Sequence, residues 1–435
     1  MPISALHDRW QRLEDEEKLA AFRAMDLEDA EEFFSQLAAR DTAELLMLLP
    51  AHSRKPWMRM LAPDDAADLL QEVDAEQRGE LLALLDEANR KEVSVLLAYA
   101  EDDAGGLMST RFARVRPDMR VDEALLYLRR QAQHLETIYY VYVLDGAQHL
   151  LGVATLRELF TAPSHSVVRD VMCDEVVSVF EEMDQEAVSR LFRHYSFLAV
   201  PVVDDQKRMK GIVTMDDIVD VVDEEATEDA QKFGGMEALD EPYLEIAFWS
   251  MLKKRGGWLS ALFLGEMLTA TAMSYFEAEI AKAVVLALFV PLIISSGGNS
   301  GSQASTLVIR AMALGEVRMR DAFRVVRREL AAGLALGGLL GVIGLMRIVL
   351  WQRMFHTYGT AAGPNAGLIG ATVAFSLIGV VLFGTLAGSM LPLLLRKLGF
   401  DPASASAPFV ATLVDVTGLV IYFTVASVVL GGTLL

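Results

Sequence analysis

The hydrophobic pattern changes twice along the 435 residues. Through residues 1–100 leucines recur in adjacent pairs, as at Leu45-Leu46, Leu48-Leu49, Leu69-Leu70, Leu81-Leu82, Leu84-Leu85 and Leu96-Leu97. This spacing is helical. Pro50, Pro56, Pro63 and Gly79 cut it into short pieces. The pattern predicts an all-α superhelical domain with acidic outer faces. Residues 106–225 repeat themselves with a period of about 60. Each copy reads as a helix, two apolar strands joined by an Asp turn, and a closing helix. From Trp258 onward five apolar runs follow: Trp258–Phe276, Ala283–Ile309, Leu330–Trp351, Ala366–Leu395 and Ala403–Leu435. Each is near or beyond the ~20 residues that cross a bilayer as a helix. The predicted organisation is a helical domain over 1–105, a repeated α/β pair over 106–232, a connecting helix over 233–257 and a five-helix transmembrane domain over 258–435.

Charge follows the same division. Residues 1–255 carry 52 acids and 28 bases, and residues 256–435 carry 8 acids and 11 bases. An acidic soluble part repels nucleic acid and attracts divalent cations. The single cysteine, Cys173, excludes an intrachain disulfide and a cysteine-based zinc site. The N-terminus shows neither an apolar leader core nor a basic leader, so the charged half is expected in the cytoplasm. The basic residues flanking the runs agree. Lys253, Lys254, Arg255, Arg310, Arg318, Arg320, Arg324, Arg327, Arg328, Arg396 and Lys397 fall on one side, against Lys282, Arg347 and Arg353 on the other. The side rich in Lys and Arg faces the cytoplasm. Five spans then place the C-terminus outside a plasma or inner membrane.

Two runs carry unusual chemistry. The second holds Pro291 and then SSGGNSGSQAS over 295–305. Gly297, Gly298 and Gly301 weaken a helix, and Pro291 removes a hydrogen bond. Broken backbone at membrane depth survives only against protein or a water-filled cavity. A small-residue packing face explains the same glycines. The backbone carbonyls around Gly298 and the side chain of Asn299 are hard oxygen donors. The fifth run holds Asp415, with no Lys or Arg deep in any run to neutralise it. An intramembrane carboxylate is a functional-site candidate by default. Ala411, Asp415 and Gly418 share a helix face, leaving room for something as large as a hydrated ion. Glu266 is the other intramembrane acid.

In the soluble half, residues 216–229 hold eight acids and no base. Glu101, Asp102 and Asp103 form a second cluster. The repeats resemble tandem cystathionine-β-synthase (CBS) domains. In that family a Gly-h-h-Thr-x-x-Asp ending often holds a nucleotide ribose. The second copy matches with Gly211, Thr214 and Asp217, and the first matches less closely with Gly152, Thr155 and Glu158. ATP as a regulator is therefore a candidate. No His-Glu-x-x-His pair occurs, which excludes a zinc intramembrane protease. Basic residues in the spans would favour an anion path, and the intramembrane acids argue against one.

The order of parts resembles the MgtE family of magnesium channels over nearly the whole chain. The motifs that carry it are PLIISSGGNSGSQASTLVIRA, DPASASAPFVATLVDVTGLVIYF and EEATEDAQKFGG. Ser302 and Ser196 depart from it, where Asn and an acid are expected. The resemblance implies no enzyme but a homodimer in the lipid bilayer. Two Asp415 side chains would meet hydrated Mg²⁺ at the two-fold axis, next to the Ala411 carbonyl and the Thr412 hydroxyl. It also implies closure by cytoplasmic Mg²⁺ held among Asp102, Asp103, Asp184, Glu186, Asp217, Asp220, Glu225, Glu228 and Asp229. Ligand type alone leaves Co²⁺, Ni²⁺ or Mn²⁺ as alternative cargo.

Overall fold

The computed structural model describes residues 3–7, 9–239, 241–244, 246–355 and 365–433. Two compact units divide between Glu224 and Glu225.

In the first unit, short helices run from Asp15–Arg23 through Glu87–Leu96. Their starts follow local chemistry. Asp26 and Asp86 accept hydrogen bonds from backbone N–H groups of the first turns they head. Pro63 opens helix Pro63–Gln71, where a missing N–H costs nothing. The paired leucines Leu45, Leu46, Leu69 and Leu70 are fully buried beside Phe33, Phe34 and Met58. That core continues into Val200, Val202 and Val213 of the second repeat, so the helical domain and this repeat share one interior.

The two repeats fold alike. Phe112–Val115, Thr137–Leu144 and Leu150–Thr155 form one sheet, and Val179–Phe180, Ala199–Val203 and Met209–Thr214 the other. In each, the first pair is parallel and the second antiparallel. Gly152 pairs with Val143 and Gly211 with Val202. A Cβ on Gly211 would lie 2.7 Å from the Ser109 carbonyl oxygen, and one on Gly152 would lie 2.8 Å from that of Cys173. Close approach of a neighbouring backbone thus accounts for the glycine that the sequence suggested for a nucleotide.

The second unit begins in the last turns of the acidic helix Met215–Phe233. The connecting helix, expected within 233–257, starts at Phe248 and runs unbroken to Tyr275, merging with the first expected span. Among the described residues, four helical segments are long and apolar enough to cross a membrane: Val284–Ala313, Met319–Phe355, Ala366–Lys397 and Ala407–Leu430. That is one fewer than the five apolar runs. Phe248–Tyr275 is long enough, yet it carries Lys253, Lys254, Arg255 and Glu266 and buries no residue within the protomer.

The glycine-rich run corrects the expectation of a broken helix. Val290–Ala313 is continuous, with Pro291 in its first turn where no N–H is needed. Its glycines serve packing instead. A Cβ on Gly388 would lie 2.1 Å from the Gly301 carbonyl oxygen, and one on Gly384 would lie 2.4 Å from that of Gly297. Two small-xxx-small faces therefore bring Val290–Ala313 and Ala366–Lys397 into backbone contact. Gly388→Val is expected to cost about 1–3 kcal/mol or more through overpacking. A detergent thermal melt of the purified variant checks this; an unchanged midpoint would contradict the packing.

Candidate ion path and cation-sensing cluster

The final helix Ala407–Leu430 is started by Ser406, whose hydroxyl accepts from the Phe409 N–H at 3.3 Å. Val410, Val414, Gly418 and Tyr422 are buried along one stripe. The contacts around that stripe place the candidate residues. Gly298 approaches the helix where a Cβ would sit 3.6 Å from Ala411. A Cβ on Gly265 would sit 3.1 Å from Thr412. Ala411, Thr412 and Asp415 are half-buried, and Asn299 is exposed in the protomer. Asp415 makes no hydrogen bond or ion pair with any described residue; Glu266 is near enough to repel it.

Asn299 also has polar company that the sequence reading passed over. Ser295, Asn299, Gln303 and Thr306 are all exposed at helical spacing on Val290–Ala313. They form a hydroxyl and amide stripe on a helix otherwise apolar enough to span a membrane. A regular helix with a polar face can supply oxygen donors from side chains without any break in its backbone.

In the first unit Asp102, Asp217 and Asp220, expected from the sequence, come together with acids the sequence did not suggest. Helix Pro63–Gln71 carries Asp64, Asp65 and Asp68 to the start of the acidic helix, where Asp216 and Asp217 lie. Burial first, and then the charges of Asp217, Asp64, Asp65 and Glu101, push the Asp68 carboxyl up to about 8. Asp217 is pushed to about 7, mainly by burial and, among charges, by Asp216 and Asp64, even though Thr214 hydrogen bonds oppose the shift. Loss of water and the charges of Asp64, Asp65 and Asp216 take Glu136 to about 7. One oxygen of Asp64, Oδ1, is buried without any hydrogen-bond partner. Arg111 is the cation that opposes this crowding at Asp64 and Asp65. Asp220 is raised by burial and by Asp223 and Asp216. Glu101 is raised by burial and by Glu72, Asp102 and Glu224.

Such a set fits a cation. Carboxyl groups outnumber basic partners, and one buried oxygen, Oδ1 of Asp64, has no hydrogen bond among the described residues. Among the described residues no three of His, Cys, Asp or Glu converge tightly enough to grip one bare ion. Carboxylates spread around a hydrated ion suit Mg²⁺, which dehydrates reluctantly. The same crowding disfavours a nucleotide phosphate beside Asp217. Thr214 already donates to Asp217 at 2.8 Å and to Asp216.

The other expected sensing residues have local partners. Asp103 and Asp184 are backbone neighbours, and the Gln185 N–H donates to the Asp102 carbonyl at 2.7 Å. The Asp184 side chain caps helix Gln185–Tyr195, and Glu186 pairs with Arg190 at 2.7 Å. Ser196 ends that helix at φ 56°, a left-handed position. Glu225, Glu228 and Asp229 occupy the last turns of the acidic helix, in the second unit, and Glu228 pairs with Lys232. Asp64, Asp65, Asp68 and Glu136 were missed. The Pro-Asp-Asp-x-x-Asp start reads as an ordinary acidic first turn of a helix, which hid their tertiary role.

A pH dependence follows. Each raised carboxyl is protonated in the folded unit at a pH where the unfolded chain has already lost its proton. Its stabilising effect is complete below about pH 4 and is lost as pH rises through about 6 to 8. Without divalent ions the first unit is therefore expected to melt ~5 °C or more lower at pH 8 than at pH 5. Millimolar-scale Mg²⁺ is expected to remove most of that fall, and Asp68→Asn to reduce both effects. Thermal melts of the intact protein with EDTA or Mg²⁺ at matched ionic strength check this; pH-independent melting without Mg²⁺ would contradict the crowding.

An acid-rich soluble unit in one chain with a helical membrane unit that carries the unpaired carboxylate of Asp415 fits a cation transporter. Comparison with known proteins agrees. Residues 290–425 match a family model described as a divalent cation transporter, residues 1–102 the MgtE intracellular N domain, and residues 104–165 and 168–224 the CBS domain. The chain is 40% identical to the magnesium transporter MgtE of Thermus thermophilus, over 97% of this chain and 91% of that protein. It is 34% identical to the magnesium transporter MgtE of Bacillus subtilis, over 85% and 79%. A solved structure of the cytosolic domain of the Mg²⁺ channel MgtE in complex with ATP is 40% identical, covering 51% of this chain and 90% of that one, at a TM-score of 0.48. The chain belongs to the MgtE family of magnesium transporters. It is a multi-pass membrane protein with cytosolic N-terminal domains and a transporter, not an enzyme.

Proposed function

We propose that this chain takes up Mg²⁺ as a homodimeric channel that cytoplasmic Mg²⁺ closes. The observation that carries the feedback is the crowding of Asp64, Asp65, Asp68, Glu136 and Asp217 with too few bases. Without cations these carboxylates repel and loosen the soluble unit. With Mg²⁺ they are held together, and the acidic helix Met215–Phe233 passes the change toward the membrane unit. An ion shifts the gate only by its differential affinity for the closed arrangement, so several weak sites give a steep response.

In the membrane unit, Asp415 from each protomer faces a hydrated ion. The Ala411 carbonyl, the Thr412 hydroxyl, Asn299 and the backbone near Gly298 lie around the same level. The unburied faces of Phe248–Tyr275 and of the polar stripe suit a second copy and a water-filled path. The expected topology keeps the C-terminus outside. Domain limits of 1–105, 106–232, 233–257 and 258–435 remain the working division. ATP is assigned a tuning role, with Gly211, Thr214 and Asp217 as the candidate ribose site. The family model's description covers divalent cations in general, which keeps Co²⁺, Ni²⁺ and Mn²⁺ as competing cargo. Liposome flux with each metal as competitor tests the reading. Mg²⁺ flux that millimolar-scale Mg²⁺ shuts is expected, and preferential flux of another metal would replace Mg²⁺ as cargo.

A further inference from the structure

One ion pair in the second unit joins the acidic helix to the segment that heads the pore-candidate helix. Lys232, in the last turn of Met215–Phe233, contacts Glu228 one turn back. Its ammonium also lies 2.8 Å from Oδ2 of Asp401, 169 positions along the chain. All three side chains are about two-thirds covered. Burial works against the ammonium, but hydrogen bonds and charges from Asp401 and Glu228 hold its affinity for the proton above the ordinary lysine value.

The surroundings make this contact more than a surface pair. Gly235, at φ 78°, turns the chain against the final helix; a Cβ there would sit 3.0 Å from Pro408 and 3.1 Å from Trp258. Asp401 has two jobs on two oxygens. Oδ2 holds Lys232, and Oδ1 accepts from the Ala403 N–H at 2.8 Å, starting the turn Pro402–Ser404. That turn leads into Ala405, whose carbonyl accepts from Ser305 on the glycine-rich helix at 2.9 Å, and into Ser406, which caps the helix of Asp415. A pull on Lys232 therefore bears on the junction that sets both helices of the candidate path.

We propose that Lys232 is a tethered cation bridging Glu228 and Asp401, a latch that transmits movement of the acidic helix to the head of the pore helix. In the ion-free protein its ammonium does between two carboxylates what a bridging divalent ion would do. The latch thereby sets how much cytoplasmic Mg²⁺ is needed for closure. This rests on the feedback reading above, so the experiment reads the latch and the gate separately.

The intact dimer is reconstituted as wild type, Lys232→Glu, Asp401→Lys and the double charge swap. Amide exchange over residues 228–235 reads the latch. It is expected to quicken in each single variant and return toward wild type in the swap. Mg²⁺ flux against cytoplasmic-side Mg²⁺ reads the gate. Each single variant is expected to need about threefold more Mg²⁺ for half-closure, or greater, and the swap to recover most of the shift. Exchange or closure that is unchanged in both single variants, or strictly additive in the swap, overturns the latch. A wild type whose flux ignores Mg²⁺, with exchange that still couples, overturns the feedback reading and the latch's control of closure but keeps the bridge. If the charge reversals impair folding, Lys232→Cys with Asp401→Cys in a Cys173→Ser background is joined by a short bis-methanethiosulfonate. Joined protein is expected to close at a Mg²⁺ concentration no higher than wild type, whereas the unjoined cysteine pair needs about threefold more; equal half-closure before and after joining overturns the latch.

Discussion

Asp415→Ala is expected to reduce Mg²⁺ flux roughly tenfold or more while leaving a folded protein, because in the proposed path the lost carboxylate is the fixed charge that attracts a hydrated cation inside the spans. The structure separates this from a folding defect. Asp415 has no hydrogen bond or ion pair among the described residues, and its neighbours on the helix pack through Val410, Val414 and Gly418 instead. Removing an unpaired charge from an apolar helix strands no partner, so thermal stability should hold or rise. Asp415→Asn keeps the shape and an oxygen but loses the charge. It should conduct poorly too, with Asp415→Glu intermediate. Size-exclusion profile, melting midpoint and dye-reported flux are measured on one preparation. Wild-type flux from a well-folded Asp415→Ala protein would remove Asp415 from the path.

The second large effect is expected from deleting residues 1–224. The division at Glu224 makes this a cut between compact units rather than through a core. What remains keeps the last turns of the acidic helix with Lys232 and Asp401, and the membrane helices. Asp64, Asp65, Asp68, Glu136 and Asp217 all leave with the removed unit. The truncated protein should conduct at every Mg²⁺ level, with little closure over the range that shuts the full chain. A truncated protein that folds and still closes at the same Mg²⁺ concentration would move the sensor into the membrane unit.

The sequence by itself determined the parts and their broad chemistry. Leucine pairing against acids marked the helical domain, since burial of leucine is local in its period and does not depend on what it packs against. The repeated strand pattern gave two sheets of like topology because alternation and Asp turns are local signals as well. Unpaired charge in an apolar run singled out Asp415, since membrane solvation penalises any such residue whatever its neighbours.

Tertiary structure decided what crosses between segments. Asp68 looked like an acidic first-turn residue, and only the fold sets it against Asp217, 149 positions away. Gly297 and Gly301 could be read as breakers of a helix or as a packing face, and the sequence named no partner for them. Backbone contact with Gly384 and Gly388 makes them the reason two helices can touch. The physical reason is common to both. Charge crowding and close packing depend on distances between residues far apart in sequence, and no local period encodes those distances.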